Sequence, residues 1–223
     1  MQLNLSPTEL TTAATNVALA VLCLVLLVLL LRRPVGARWK KSIWASVFAL
    51  LASASALGAI AHGFDLPSSV KTALWRPLYL LLGLSVALFL VGGIGDWRGE
   101  RAARTVLPWV VAAGVGFFAL TQVADSFGVF IAYEGVAMVA TLGIYLFLWV
   151  TRGVPGAGAV ASGIVITLVA AALQVSSLSA RIIWDFDHNG LFHLVQTVAI
   201  LVVARGLRLG MTPASSPTAP AAG

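Results

Sequence analysis

Residues 13–31 read AATNVALAVLCLVLLVLLL, and Arg32-Arg33-Pro34 follows at once. As a helix rising 1.5 Å per residue, this uncharged run is about 28 Å long, close to the thickness of a bilayer's hydrocarbon core. Six further stretches have the same character: 43–62, 72–93, 106–124, 129–150, 158–178 and 187–207. Short connections with turn residues separate them, such as Leu66-Pro67-Ser68, Gly95-Asp96-Trp97 and Gly153-Val154-Pro155-Gly156. An outer-membrane barrel would show shorter segments of alternating polarity. The expected fold is all-α, a polytopic bundle of seven transmembrane helices.

Composition agrees. The chain has 223 residues, 60% hydrophobic and 10% charged, against about 25% charged in soluble domains. Its net charge of +6 is read as loop charge that orients a membrane protein, and nucleic acid is excluded as a partner. The first apolar run lacks a basic N-terminal flank and a small-residue cleavage site before Arg32, so it is expected to be a retained helix. Arginine outnumbers lysine, and alanine, valine and glycine abound. That bias fits a bacterial chain, with the plasma (inner) membrane as its expected location and the bilayer as its first partner.

Charge sets the orientation. Arg32, Arg33, Arg38, Lys40, Lys41, Arg98, Arg101, Arg104, Arg152, Arg205 and Arg208 fall in the odd loops and the C-terminal flank, against Lys71, Arg76 and Arg181 on the other side. Cationic loops stay in the cytoplasm, so the N-terminus is expected outside and the C-terminus inside. The domain spans 1–210. Residues 211–223, mostly Pro, Ala, Ser and Thr, are expected to form a disordered cytoplasmic tail. Cys23 is a single thiol in an apolar run and reads as core. Gly92-Gly93-Ile94-Gly95 lacks the strand that a phosphate loop needs and reads as a helix end.

This topology gathers polar residues at the outer side. His62 ends the second helix, and His188 and His193 open the seventh. Glu9, Asp125 and Asp185 read as solvated loop charges, while Glu134 is a weaker candidate inside the fifth helix. The seventh helix is informative because its uncharged stretch, Gly190 to Ala204, is about 22 Å long and too short to cross. The helix must therefore carry polar residues inward, where they face the bundle interior. Asn189, His193 and Gln196 share one face. The second helix carries Ala52-Ser53-Ala54-Ser55-Ala56-Leu57-Gly58-Ala59, small residues that permit close approach. It is expected to be the central, most enclosed helix, with Ser55 two turns below His62 and Asp65 just beyond. The expected site is an outward-facing pocket of Ser55, His62, Asn189, His193 and Gln196, with Asp65 or Asp187 at its mouth.

Seven helices, a histidine ending the second and a histidine early in the seventh resemble the alkaline ceramidase and adiponectin-receptor superfamily. That resemblance implies a zinc-dependent hydrolase of lipid amides. His62, His188 and His193 would supply three nitrogens, leaving a fourth position for an activated water. Asp65 or Asp187 would act as the catalytic base. Against the family pattern, Asn189 stands at the first histidine of the seventh-helix His-x-x-x-His, Gly58 at the serine, and Ala73 at the aspartate. The preferred expectation is a non-catalytic module that binds a lipid or other small molecule, senses it, or serves in assembly. The alternatives are the zinc hydrolase, a haem protein with His62 and His193 as paired ligands, and a transporter.

Overall fold

A computed structural model describes residues 2–33, 37–124 and 127–211. Asp125 and residues 212–223, expected as a loop charge and a disordered tail, lie outside them. The described residues form seven helices, each long and apolar enough to cross a membrane: α1 (Pro7–Leu31), α2 (Arg38–Gly63), α3 (Ser68–Arg98), α4 (Glu100–Ala124), α5 (Phe127–Arg152), α6 (Ala157–Gln174) and α7 (His188–Gly210). Two-residue strands form two small antiparallel ladders, β1 (Gln2–Leu3) with β2 (Phe64–Asp65), and β3 (Ala180–Arg181) with β4 (Asp185–Phe186).

Most helix ends lie beyond the limits read from hydropathy. α1 starts six residues earlier, at Pro7, where a proline suits a position that needs no intrahelical N–H bond. α3 and α4 are separated only by Gly99 at φ 87°. Apolar windows stop at the first charge, whereas a backbone that satisfies its own hydrogen bonds continues past it. α6 differs in the other direction. It stops at Gln174, and the chain turns through the β3–β4 hairpin before α7.

Helices α1, α2, α3, α5, α6 and α7 pack in a ring, and α4 lies outside it against α3 and α5. The helix starts of α1 and α7 meet the end of α2, through a bond from Asn4 N to the Gly63 carbonyl at 3.0 Å and from the Thr12 hydroxyl to Asp187 at 2.9 Å. This is the histidine end. The opposite end carries the arginines, with the Arg33 guanidinium donating to the Arg208 carbonyl.

The expectation that α2 is the most enclosed helix is corrected. Half of the apolar window of α3, 50%, is buried inside the bundle against 33% for α2. α3 is pressed between α2, α4 and α5. The small residues of α2 serve two sides: Ala52, Ala54 and Gly58 are buried, while Ala56 is exposed.

At the arginine end, Lys40 on α2 pairs with Asp96 on α3 at 2.7 Å, with side-chain exposures of 14% and 10%. The Tyr145 hydroxyl of α5 donates to the second Asp96 oxygen at 2.8 Å. Breaking a buried pair strands a charge. Asp96→Ala is expected to lower the thermal unfolding midpoint in detergent, at a cost of about 3 kcal/mol. The double change Lys40→Met with Asp96→Leu should recover most of that loss. A double variant as unstable as the single one would mean that the pair's charge is not what holds this end.

Candidate functional site

A cavity of about 150 Å³ runs lengthwise inside the ring. On α2 it is bordered by Trp44, Phe48, Leu51, Ser55, Gly58 and His62, alternating four and three residues apart. That spacing is one helical face, and its eighteen-residue extent corresponds to about 27 Å of helix. α7 contributes Asn189, His193, Gln196, Ile200 and Val203 at the same spacing. α4 contributes nothing to the lining, as its place outside the ring requires.

The two halves differ in chemistry. Toward the histidine end the wall carries Asn16, Ser55, His62, Asn189, His193 and Gln196; toward the arginine end it is Leu19, Trp44, Phe48, Val86, Phe89 and Val203. Glu134 and Gln174 add polar groups from α5 and α6. The five pocket residues read from the sequence, Ser55, His62, Asn189, His193 and Gln196, all border this one cavity.

The imidazoles are held by α1. Glu9 Oε2 lies 2.8 Å from His62 Nδ1, with exposures of 34% for Glu9 and 13% for His62. The Trp75 ring packs edge-on to His62 at 5.4 Å between centroids. His193 is buried, with Nδ1 3.1 Å from the Thr15 hydroxyl. Asn16, also buried, donates to the Thr12 carbonyl at 3.2 Å. Its side-chain oxygen lies so near Gly58 that a Cβ there would sit 2.8 Å away. Glycine at 58 is thus what lets α1 approach.

Reading Glu9 as a solvated loop charge is corrected, since it lies in the first turn of α1 and partners His62. Thr12, Thr15 and Asn16 went unnoticed too. Their signal was present: polar residues three and four apart in an apolar run point inward for the reason already applied to the seventh helix.

Asp65 and Asp187 do not take the expected catalytic places. Asp65 is exposed, pairs through its backbone with Gln2, and does not border the cavity. Asp187 caps α7, its carboxylate accepting from Gly190 N at 2.8 Å and from Thr12; this satisfies otherwise orphaned helix-start donors. His188 follows the cap, five residues before His193, and does not border the cavity either. The expected set of His62, His188 and His193 is corrected accordingly. Among the described residues, no three His, Cys, Asp or Glu side chains converge as a metal site would need. Catalytic zinc takes three protein donors, so these residues do not fit it.

The amino-acid sequence matches the model of a family of unknown function, DUF6962, over residues 11–212. The chain belongs to that family. No curated protein and no solved structure matches it. Every residue bordering the cavity falls inside the span that defines DUF6962, whereas Glu9 lies just before it.

Proposed function

We propose that this DUF6962 chain is a seven-span protein of the bacterial plasma membrane, N-terminus outside, that binds an amphiphilic small molecule in its lengthwise cavity without chemically changing it. The observation that carries the reading is the division of one cavity into a polar half at the histidine end and an apolar half at the arginine end. An alkyl chain along the apolar half would make dispersion contacts with the wall on every side. Polar groups around His62, Asn189, His193 and Gln196 would hold the other end of the ligand. Such a division, with few polar groups set in an apolar wall, is what small-molecule sites have in common.

The superfamily resemblance extends to the helix count and to His62 and His193, and it supports lipid as the ligand class. The zinc hydrolase is disfavoured by the missing third donor. The haem alternative rests on His62 and His193 alone.

Orientation rests on the basic residues gathered at the arginine end. A periplasmically active reporter fused to the C-terminus is expected to be silent, and a cytoplasmic reporter there active. The reverse pair would turn the cavity mouth toward the cytoplasm. Mass spectrometry of the purified particle tests binding: a retained alkyl-chain ligand supports the reading, and a variant with the cavity filled should lose it.

A further inference from the structure

The cavity wall carries four buried polar atoms without partners among the described residues, the Trp44 indole nitrogen and three acceptor oxygens. Glu134, only 8% exposed, borders the cavity, and its Oε2 has no partner among the described residues. The same is true of Gln174 Oε1 and Gln196 Oε1, both fully shielded from solvent on the same wall. These are three acceptor oxygens contributed by α5, α6 and α7. Buried acceptors without partners are costly and rare in native proteins, and a ligand that donates to them removes that cost. Neither lysine nor arginine borders the cavity, and Glu134 is the one carboxylate that does. His62, the imidazole on the wall that stands beside a carboxylate, is committed to Glu9.

We infer that the cavity takes an amphiphile with an ammonium headgroup, held by Glu134 and by the side-chain carbonyls of Gln174 and Gln196. An ammonium group offers several donors and one positive charge, matching three acceptors of which one is a carboxylate. Bonds of this charge-assisted kind are the stronger ones. The Phe130 and Phe192 rings border the same cavity, and aromatic faces favour a nearby cation. A carboxylate or phosphate headgroup would meet Glu134 as a like charge. An alcohol would offer one donor and leave two acceptors unmet. The inference rests on the amphiphile reading above and specifies its headgroup.

The test compares dodecylamine, dodecanol and dodecanoate, which share one alkyl chain. Binding is measured by native mass spectrometry of the full chain released from micelles. Dodecylamine is expected to bind at least roughly tenfold more tightly than the other two, the size of one charge-assisted hydrogen bond. Glu134→Gln keeps the shape and removes the charge, so it should erase that preference. Gln196→Leu should weaken the amine alone by a smaller factor, at an unchanged unfolding midpoint, and it supplies the test should Glu134→Gln fail to fold. Equal binding of the three probes, or amine binding indifferent to both variants, overturns the headgroup inference and leaves the amphiphile reading standing. Binding of none of them overturns both.

Discussion

Gly206→Leu is expected to abolish accumulation of the folded protein, and even Gly206→Ala should lower its unfolding midpoint by several degrees. At this point α6 and α7 meet backbone to backbone. A Cβ on Gly206 would lie 2.7 Å from the Gly156 carbonyl oxygen and 2.8 Å from Val160 N. Gly163 is placed likewise, 3.0 Å from the Ala199 carbonyl. Gly156 also has φ 82°, which a side chain would strain. Main-chain atoms cannot move aside by changing rotamer, so the helices must separate. Overpacking costs about 1–3 kcal/mol where side chains can adjust, and here the backbone stands in the way. With no hydrophobic drive between helices in lipid, close packing of small residues is what holds such pairs. Separation would also displace Gln174 and the cavity face of α7. Gly143→Ala on α5 is the control. Nothing lies within 4 Å of its Cβ position, so the midpoint should stay or rise. Equal losses from Gly143→Ala and Gly206→Ala would show that the close crossing of α6 and α7 is not what sets the result, since alanine is the better helix former at both positions.

Seven helices were legible because runs such as 13–31 are long and apolar enough to cross a bilayer as helices. Helix ends were not, since charges at Arg38 or Arg98 interrupt the hydropathy and leave the backbone pattern intact. The polar stripe of α7 could be found because its apolar stretch is too short to cross. α1 carries no such deficit. Its run is long enough alone, so length did not point to Thr12, Thr15, Asn16 or Glu9, although Glu9 and Thr15 hold His62 and His193. The central place of α3 was hidden for a different reason. Small residues on α2 announce close approach but not to how many neighbours, and Ala56 turns away from the bundle. Asp187 looked like chemistry because it neighbours two histidines; its position before α7 is equally the signature of a helix cap, and that is its role.

The central claim is that one amphiphile occupies the cavity between the histidine and arginine ends, and filling that space tests it most directly. Ala54 is 2% exposed and borders the cavity midway along α2, where the polar wall gives way to the apolar one. Ala54→Phe would place a ring where the alkyl chain would lie. Leu51→Trp, one turn away on the same wall, narrows the space with a smaller change in volume and serves as the second variant. Both should remain folded, because the added atoms enter a void and gain contacts there. The measurement is the mass of the intact protein, released gently from its detergent particle, for the wild type and the two variants. The account predicts a wild-type species heavier than the chain by one alkyl-chain ligand. It predicts that both variants, at unchanged or higher unfolding midpoints, appear at the mass of the chain alone. A ligand retained by both variants, or a wild type that never carries one, would contradict it.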